Sequence, residues 1–170
     1  MNSNTPEISR FRRFMTFAVG GTTVAACTGQ VNAVGAKTCT INNLAVGVNS
    51  ITATYSGDSN FVAGSPGSAS YTINKTSRPF GLSSSGPLGV NSSVTFTATL
   101  IGPFTPTTPT GTIAFSDYGT AIGSCTAQPI QASGANYVAT CTVSDLTAGA
   151  HSIVADYAGD GNFVRKITND

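Results

Sequence analysis

Apolar and polar side chains alternate with a period of two along several stretches of the chain, the spacing that sends successive side chains to opposite faces of a strand. Segments 15–19, 47–55, 68–74, 92–100, 111–116, 136–143 and 150–157 are rich in Val, Ile, Thr, Phe and Tyr, and are predicted as strands. Gly20-Gly21, Gly57-Asp58, Asp117-Tyr118-Gly119, Gly159-Asp160-Gly161 and the stretch 103–111 interrupt the alternation at short intervals with turn-forming residues. Helix signals are missing. The pattern predicts an all-β chain of short strands and close turns.

The pattern is also written twice. Residues 39–62, CTINNLAVGVNSITATYSGDSNFV, align without a gap on residues 141–164, CTVSDLTAGAHSIVADYAGDGNFV, with 13 identities in 24 positions. Upstream, Phe17, Gly21, Thr22 and Cys27 fall on Phe115, Gly119, Thr120 and Cys125, at an offset of 98 instead of 102. The four extra residues lie between the cysteines. Cys27 and Cys39 are symmetric about Ala33, and Cys125 and Cys141 about Ser133, both in turn-like sequence. Each pair is therefore expected to bracket a β-hairpin tip and to face across its arms, with two residues added per arm in the second copy.

Three segments follow from this alignment. Residues 1–13, with Arg10, Arg12 and Arg13, have no counterpart in the second copy. A first repeat over 14–76 lacks its first two strands, and a second over 77–170 has a short or missing last strand. A sandwich without all its strands exposes edges and core, so the first repeat is expected to be less stable or to take a strand from a neighbour.

The motifs PTGTIAF at 109–115, LTAGAHSIVADYAGDGNF at 146–163 and LAVGVNSITATYSGDSNF at 44–61 resemble the bacterial Ig-like domain repeats found in tandem in large exported proteins. The resemblance implies two tandem, partly truncated immunoglobulin-like β-sandwich domains, outside the cell or on its surface. Its implied roles are spacing, display and adhesion, with neighbouring repeats of the same chain as partners. A shared fold does not fix a ligand. A binding module contacting a glycan or protein through loops such as 103–109, and an accessory domain of an exported hydrolase, are the alternatives.

Composition narrows the picture. Charged residues make up 9% of the chain, and 8 basic against 7 acidic side chains leave a net charge of +1. Such a surface is solvated by hydroxyls and offers no electrostatic reason to expect nucleic acid or an anionic membrane. No apolar run is long enough to span a bilayer.

The candidate chemistry is mostly architectural. Cys27 with Cys39 and Cys125 with Cys141 are expected disulfides, which require an oxidising compartment; zinc would need all four to converge, whereas the repeat places them in separate modules. Val24-Ala25-Ala26-Cys27 looks like a lipobox, but the same Phe-to-Cys spacing recurs at Phe115 to Cys125, where no signal can operate. Tyr55, Gly57, Asp58, Asn60 and Phe61, with Tyr157, Gly159, Asp160, Asn162 and Phe163, are expected to build a structural turn and corner. Asp58, Asn60, Asp160 and Asn162 could offer oxygens to calcium, yet supply too few ligands for it. His151, the sole histidine, replaces Asn49 of the first copy, so it reads as a surface strand residue and not a general base. The chain is therefore expected to be neither an enzyme nor the holder of a metal or cofactor.

Overall fold

A computed structural model describes residues 14–30, 36–86, 89, 92–144 and 146–169. The unmatched segment 1–13 and the hairpin tip expected at Ala33 lie outside the described residues. The chain divides into two units, Met1–Asn74 and Lys75–Asp170.

In the first unit β1 (Phe14–Val19), β2 (Thr22–Thr23), β3 (Gly29–Gln30), β4 (Gly47–Tyr55) and β5 (Gly67–Ile73) form one antiparallel sheet in the order β2-β1-β4-β5, with β3 also on β1. Met15, Phe17 and Val19 stand opposite Tyr55, Ala53 and Ile51. The second unit holds β6 (Phe80–Ser84), β7 (Val94–Leu100), β8 (Thr112–Asp117), β9 (Thr120–Ala121), β10 (Gln128–Pro129), β11 (Gln131–Ser133), β12 (Asn136–Val143), β13 (Ile153–Tyr157) and β14 (Lys166–Asn169). They make two antiparallel sheets, β10-β8-β13-β14 with β9 on β8, and β11-β12-β7-β6. Lettered A to G over β6, β7, β8, β11, β12, β13 and β14, these are the ABED and CFG sheets of an immunoglobulin-like sandwich.

Alternation builds the core of the second unit. Phe96, Ala98 and Leu100 of β7 and Ala139, Cys141 and Val143 of β12 turn inward from one sheet, meeting Ile113 and Phe115 of β8 and Ile153, Ala155 and Tyr157 of β13 from the other. Between them the threonines point away, and Thr95 and Thr142, paired in register, bond across the strands at 3.0 Å. The β8–β13 ladder sets Ile113 opposite Tyr157, Phe115 opposite Ala155 and Asp117 opposite Ile153. With the offsets of 98 and 102 these are the same pairs as in the β1–β4 ladder, so the sequence repeat is also a repeat of register.

Three features depart from the sequence reading. β6 was outside the expected strands because Gly81, Ser83 and Ser84 carry little strand preference; pairing on β7, with Phe80 opposite Leu100 and Leu82 opposite Ala98, makes it a strand. The last strand of the second unit, expected as short or missing, is the four residues of β14 and is no departure. Cys125 is not on a hairpin arm facing Cys141. The hairpin is β11–β12, turned by Gly134 and Ala135 with Ser133 opposite Asn136, and Cys125 precedes it in a 3-10 turn, Gly123–Cys125. Pro129 has no N–H to extend that arm, and the chain changes sheets there, since β10 pairs with β8 while β11 pairs with β12. Finally, 39–41 form no strand although the matching 141–143 do. Cys141, Thr142 and Val143 stand in register opposite Phe96, Thr95 and Val94 of β7, and among the described residues of the first unit no strand corresponds to β7.

Candidate functional site

The two sulfur pairs are the first element. Cys125 and Cys141 are joined with Cα atoms 5.5 Å apart, both almost fully buried. Because the 3-10 turn follows β9, on the β8 sheet, while Cys141 lies in β12, the bond staples one sheet to the other. It is not the bond between strands B and F of antibody domains: the equivalent β7 and β13 carry Ala98 and Ala155, both with no exposed surface. In the first unit Cys27, in the 3-10 turn Ala25–Cys27, is joined to Cys39 with Cα atoms 5.2 Å apart. Every cysteine is therefore used in a pair within its own unit.

The second element is the corner after β13. The Tyr157 hydroxyl lies 3.0 Å from the Thr110 carbonyl oxygen and 3.1 Å from Asp160 Oδ2. Asp160 Oδ1 accepts the N–H groups of Asn162 and Phe163 at 2.7 and 2.8 Å, and Oδ2 accepts the Thr110 N–H at 2.7 Å. Burial, reinforced by the Asp160 charge, holds the Tyr157 hydroxyl far above its ordinary range. For Asp160 burial pushes the carboxyl upward, but the donors from Asn162, Thr110, Phe163 and Tyr157 outweigh it and keep it below its ordinary value. Gly159 has φ +79°, and a Cβ there would sit 2.7 Å from the Phe163 carbonyl oxygen, so only glycine fits. The first unit repeats the motif: Tyr55 bonds Asp58 at 2.6 Å, Asp58 Oδ1 accepts from the Asn60 and Phe61 N–H groups, and Gly57 has φ +80°.

These oxygens are engaged by protein donors. Asp156, the nearest further carboxylate in the sequence, is paired with Arg165, whose Nε donates at 2.9 Å. Among the described residues no three His, Cys, Asp or Glu gather as a metal site. Phe163 is buried against Phe104, ring centroids 5.5 Å apart at 79°, while its counterpart Phe61 is 60% exposed. Phe104 also meets Tyr137 edge-on at 5.4 Å and lies under the Arg78 guanidinium. The aromatic ring of the 103–109 loop is thus spent on the core and not presented to a ligand.

A third element was not legible as a site in the sequence. His151 precedes β13 instead of lying in it; its Nδ1 is 2.6 Å from Asp117 Oδ2 and its Nε2 2.8 Å from the Thr147 carbonyl oxygen. Asp117 Oδ1 accepts the Ser152 N–H at 3.0 Å. The bond to Thr147 and then the one to Asp117 raise the His151 pKa above its ordinary 6.5. The available signal was a paired difference between copies, Val19 with Asn49 against Asp117 with His151. Beside this cluster runs an open groove of about 750 Å³, lined by Asp117, Tyr118, Ile122, Ser124, Ser144 and Leu146 among others.

Two sheets in the ABED and CFG arrangement, a bond between them and a corner whose polar groups satisfy one another define an immunoglobulin-like β-sandwich module. Residues 82–169, just over half of the chain, match the family model described as bacterial Ig-like domain (group 3). The chain belongs to that family, whose domains are typically non-catalytic and occur in exported proteins. No curated protein and no solved structure matches it. No helix among the described residues is long and apolar enough to cross a membrane.

Proposed function

We propose that this chain is a non-catalytic structural repeat, a stalk or spacer, in an array of Ig-like modules exported from the cell or displayed on its surface. The observation that carries the reading is the buried inter-sheet disulfide Cys125–Cys141. Such a bond persists in an oxidising compartment and holds the sandwich layers together under shear or proteolysis, a task that needs durability and no reacting group. The low charge and hydroxyl-rich surface suit a module whose contacts are neighbouring repeats. Alkylation of the protein from its native host, before and after reduction, tests this: the expected result is an exported species with no free thiols until reduced. Four free thiols on a protein retained inside the cell would refute it.

A second reading, a loop-borne binding module for a glycan or a protein, has one observation in its favour. The Tyr118 side chain, 69% exposed, borders the open groove beside Asp117. Glycan-array binding lost on Tyr118→Ala would support that reading over the stalk.

A further inference from the structure

Asn49, the third residue of β4, and His151, two residues before β13, perform one task in two chemistries. Asn49 donates from Nδ2 to the carbonyl oxygen of Ala45, four residues back, at 2.9 Å. His151, its counterpart, reaches the carbonyl oxygen of Thr147, also four residues back, at 2.8 Å. Both close the loop that leads into the strand. An amide keeps its protons throughout the physiological range, whereas an imidazole does not.

The second ring nitrogen makes the difference consequential. Thr147 O can only accept a hydrogen bond, and so can an ionised Asp117 carboxylate; Nε2 and Nδ1 of His151 face one each. A protonated ring satisfies both with its two N–H groups. A neutral ring has one N–H and must leave a lone pair directed at an oxygen on the other side. The two partners lie in different segments, Asp117 at the end of β8 and Thr147 in the connection that crosses from β12 to β13. Tyr118, whose hydroxyl donates to the Ala150 carbonyl oxygen, is the other titratable side chain of this cluster; Asp145 lies outside the described residues. Asp117 and Leu146, on the two segments that His151 ties, also line the groove.

We propose that His151 is a pH-responsive clamp: protonated, it ties the β12–β13 connection to the end of β8 and fixes the groove between them, and on losing its proton it releases one of the two. The first repeat, with Asn49, has no such response. Within one array, repeats carrying His at this position would then loosen at this end of the sandwich as pH rises, and repeats carrying Asn would not.

As the only histidine, His151 gives one assignable pair of ring proton resonances. Titrating the full chain by NMR should place its midpoint above 6.5, and Asp117→Asn should move that midpoint down. Amide exchange at 147–152, relative to the same amides in His151→Asn, should rise as pH passes the midpoint, because the Asn variant keeps the Thr147 bond at every pH. A wild-type midpoint at or below 6.5, a midpoint indifferent to Asp117→Asn, or matching exchange profiles for wild type and His151→Asn would each overturn the clamp. An Asn variant that fails to fold would overturn it as well, since Asn49 shows the residue to be compatible with this turn.

Discussion

Removing the inter-sheet disulfide with Cys125→Ala/Cys141→Ala tests most directly how the second unit holds together. The cysteines are 16 positions apart, and a closed loop of that size contributes about 3 kcal/mol in the chain-entropy model. For a domain of this length each kcal/mol moves the melting temperature by about 4–8 °C, so the transition of the second unit should fall by roughly 12–24 °C. Calorimetry on the full chain, with Cys27→Ala/Cys39→Ala as the comparison, assigns the transition, because that pair closes a loop wholly within the first unit. Hydrogen exchange should then show the 3-10 turn Gly123–Cys125 losing protection before the β7–β12 ladder, since the turn depends on the bond while the ladder has its own backbone pairing. A fall of less than roughly 4 °C would mean that packing alone keeps the turn on β12, and that the staple is not what makes the module durable.

Other perturbations separate the two copies and the corner. Phe115→Ala, at a position 1% exposed, should cost about 3–5 kcal/mol in urea unfolding, whereas Phe17→Ala, half-buried in the matched ladder, should cost about 1 kcal/mol; equal losses would contradict the difference in packing. Asp160→Asn should flatten the acid limb of the stability curve. The folded carboxyl titrates below its ordinary 3.8, so its stabilisation is complete above that value and is lost as pH falls through the folded pKa. Melting temperatures of wild type and variant that decline in parallel on acidification would refute this. Gly159→Ala should destabilise by at least about 1–2 kcal/mol, and Gly161→Ala, which has open space around it, by far less, as thermal melts of the two variants can check.

Local chemistry made much of the molecule readable in advance. The period-two alternation located β1, β4, β5, β7, β8, β12 and β13, and the Gly-Asp turns marked where the corner would form, because strand and turn preferences act within a few residues. The offsets of 98 and 102 carried the register of both ladders, since side-chain facing is set by counting. Partners distant in sequence decided the rest. Cys39-Thr40-Ile41 and Cys141-Thr142-Val143 are nearly the same tripeptide, yet the second is a strand because β7 lies beside it and the first is not. Phe17 and Phe115 differ in burial because a second sheet covers only one of them among the described residues. The disulfide proved to join sheets and not hairpin arms because Pro129 ends one ladder and the chain begins another. A strand's facing is inscribed in its own residues; whether that face is covered, and by what, is settled by residues far away along the chain.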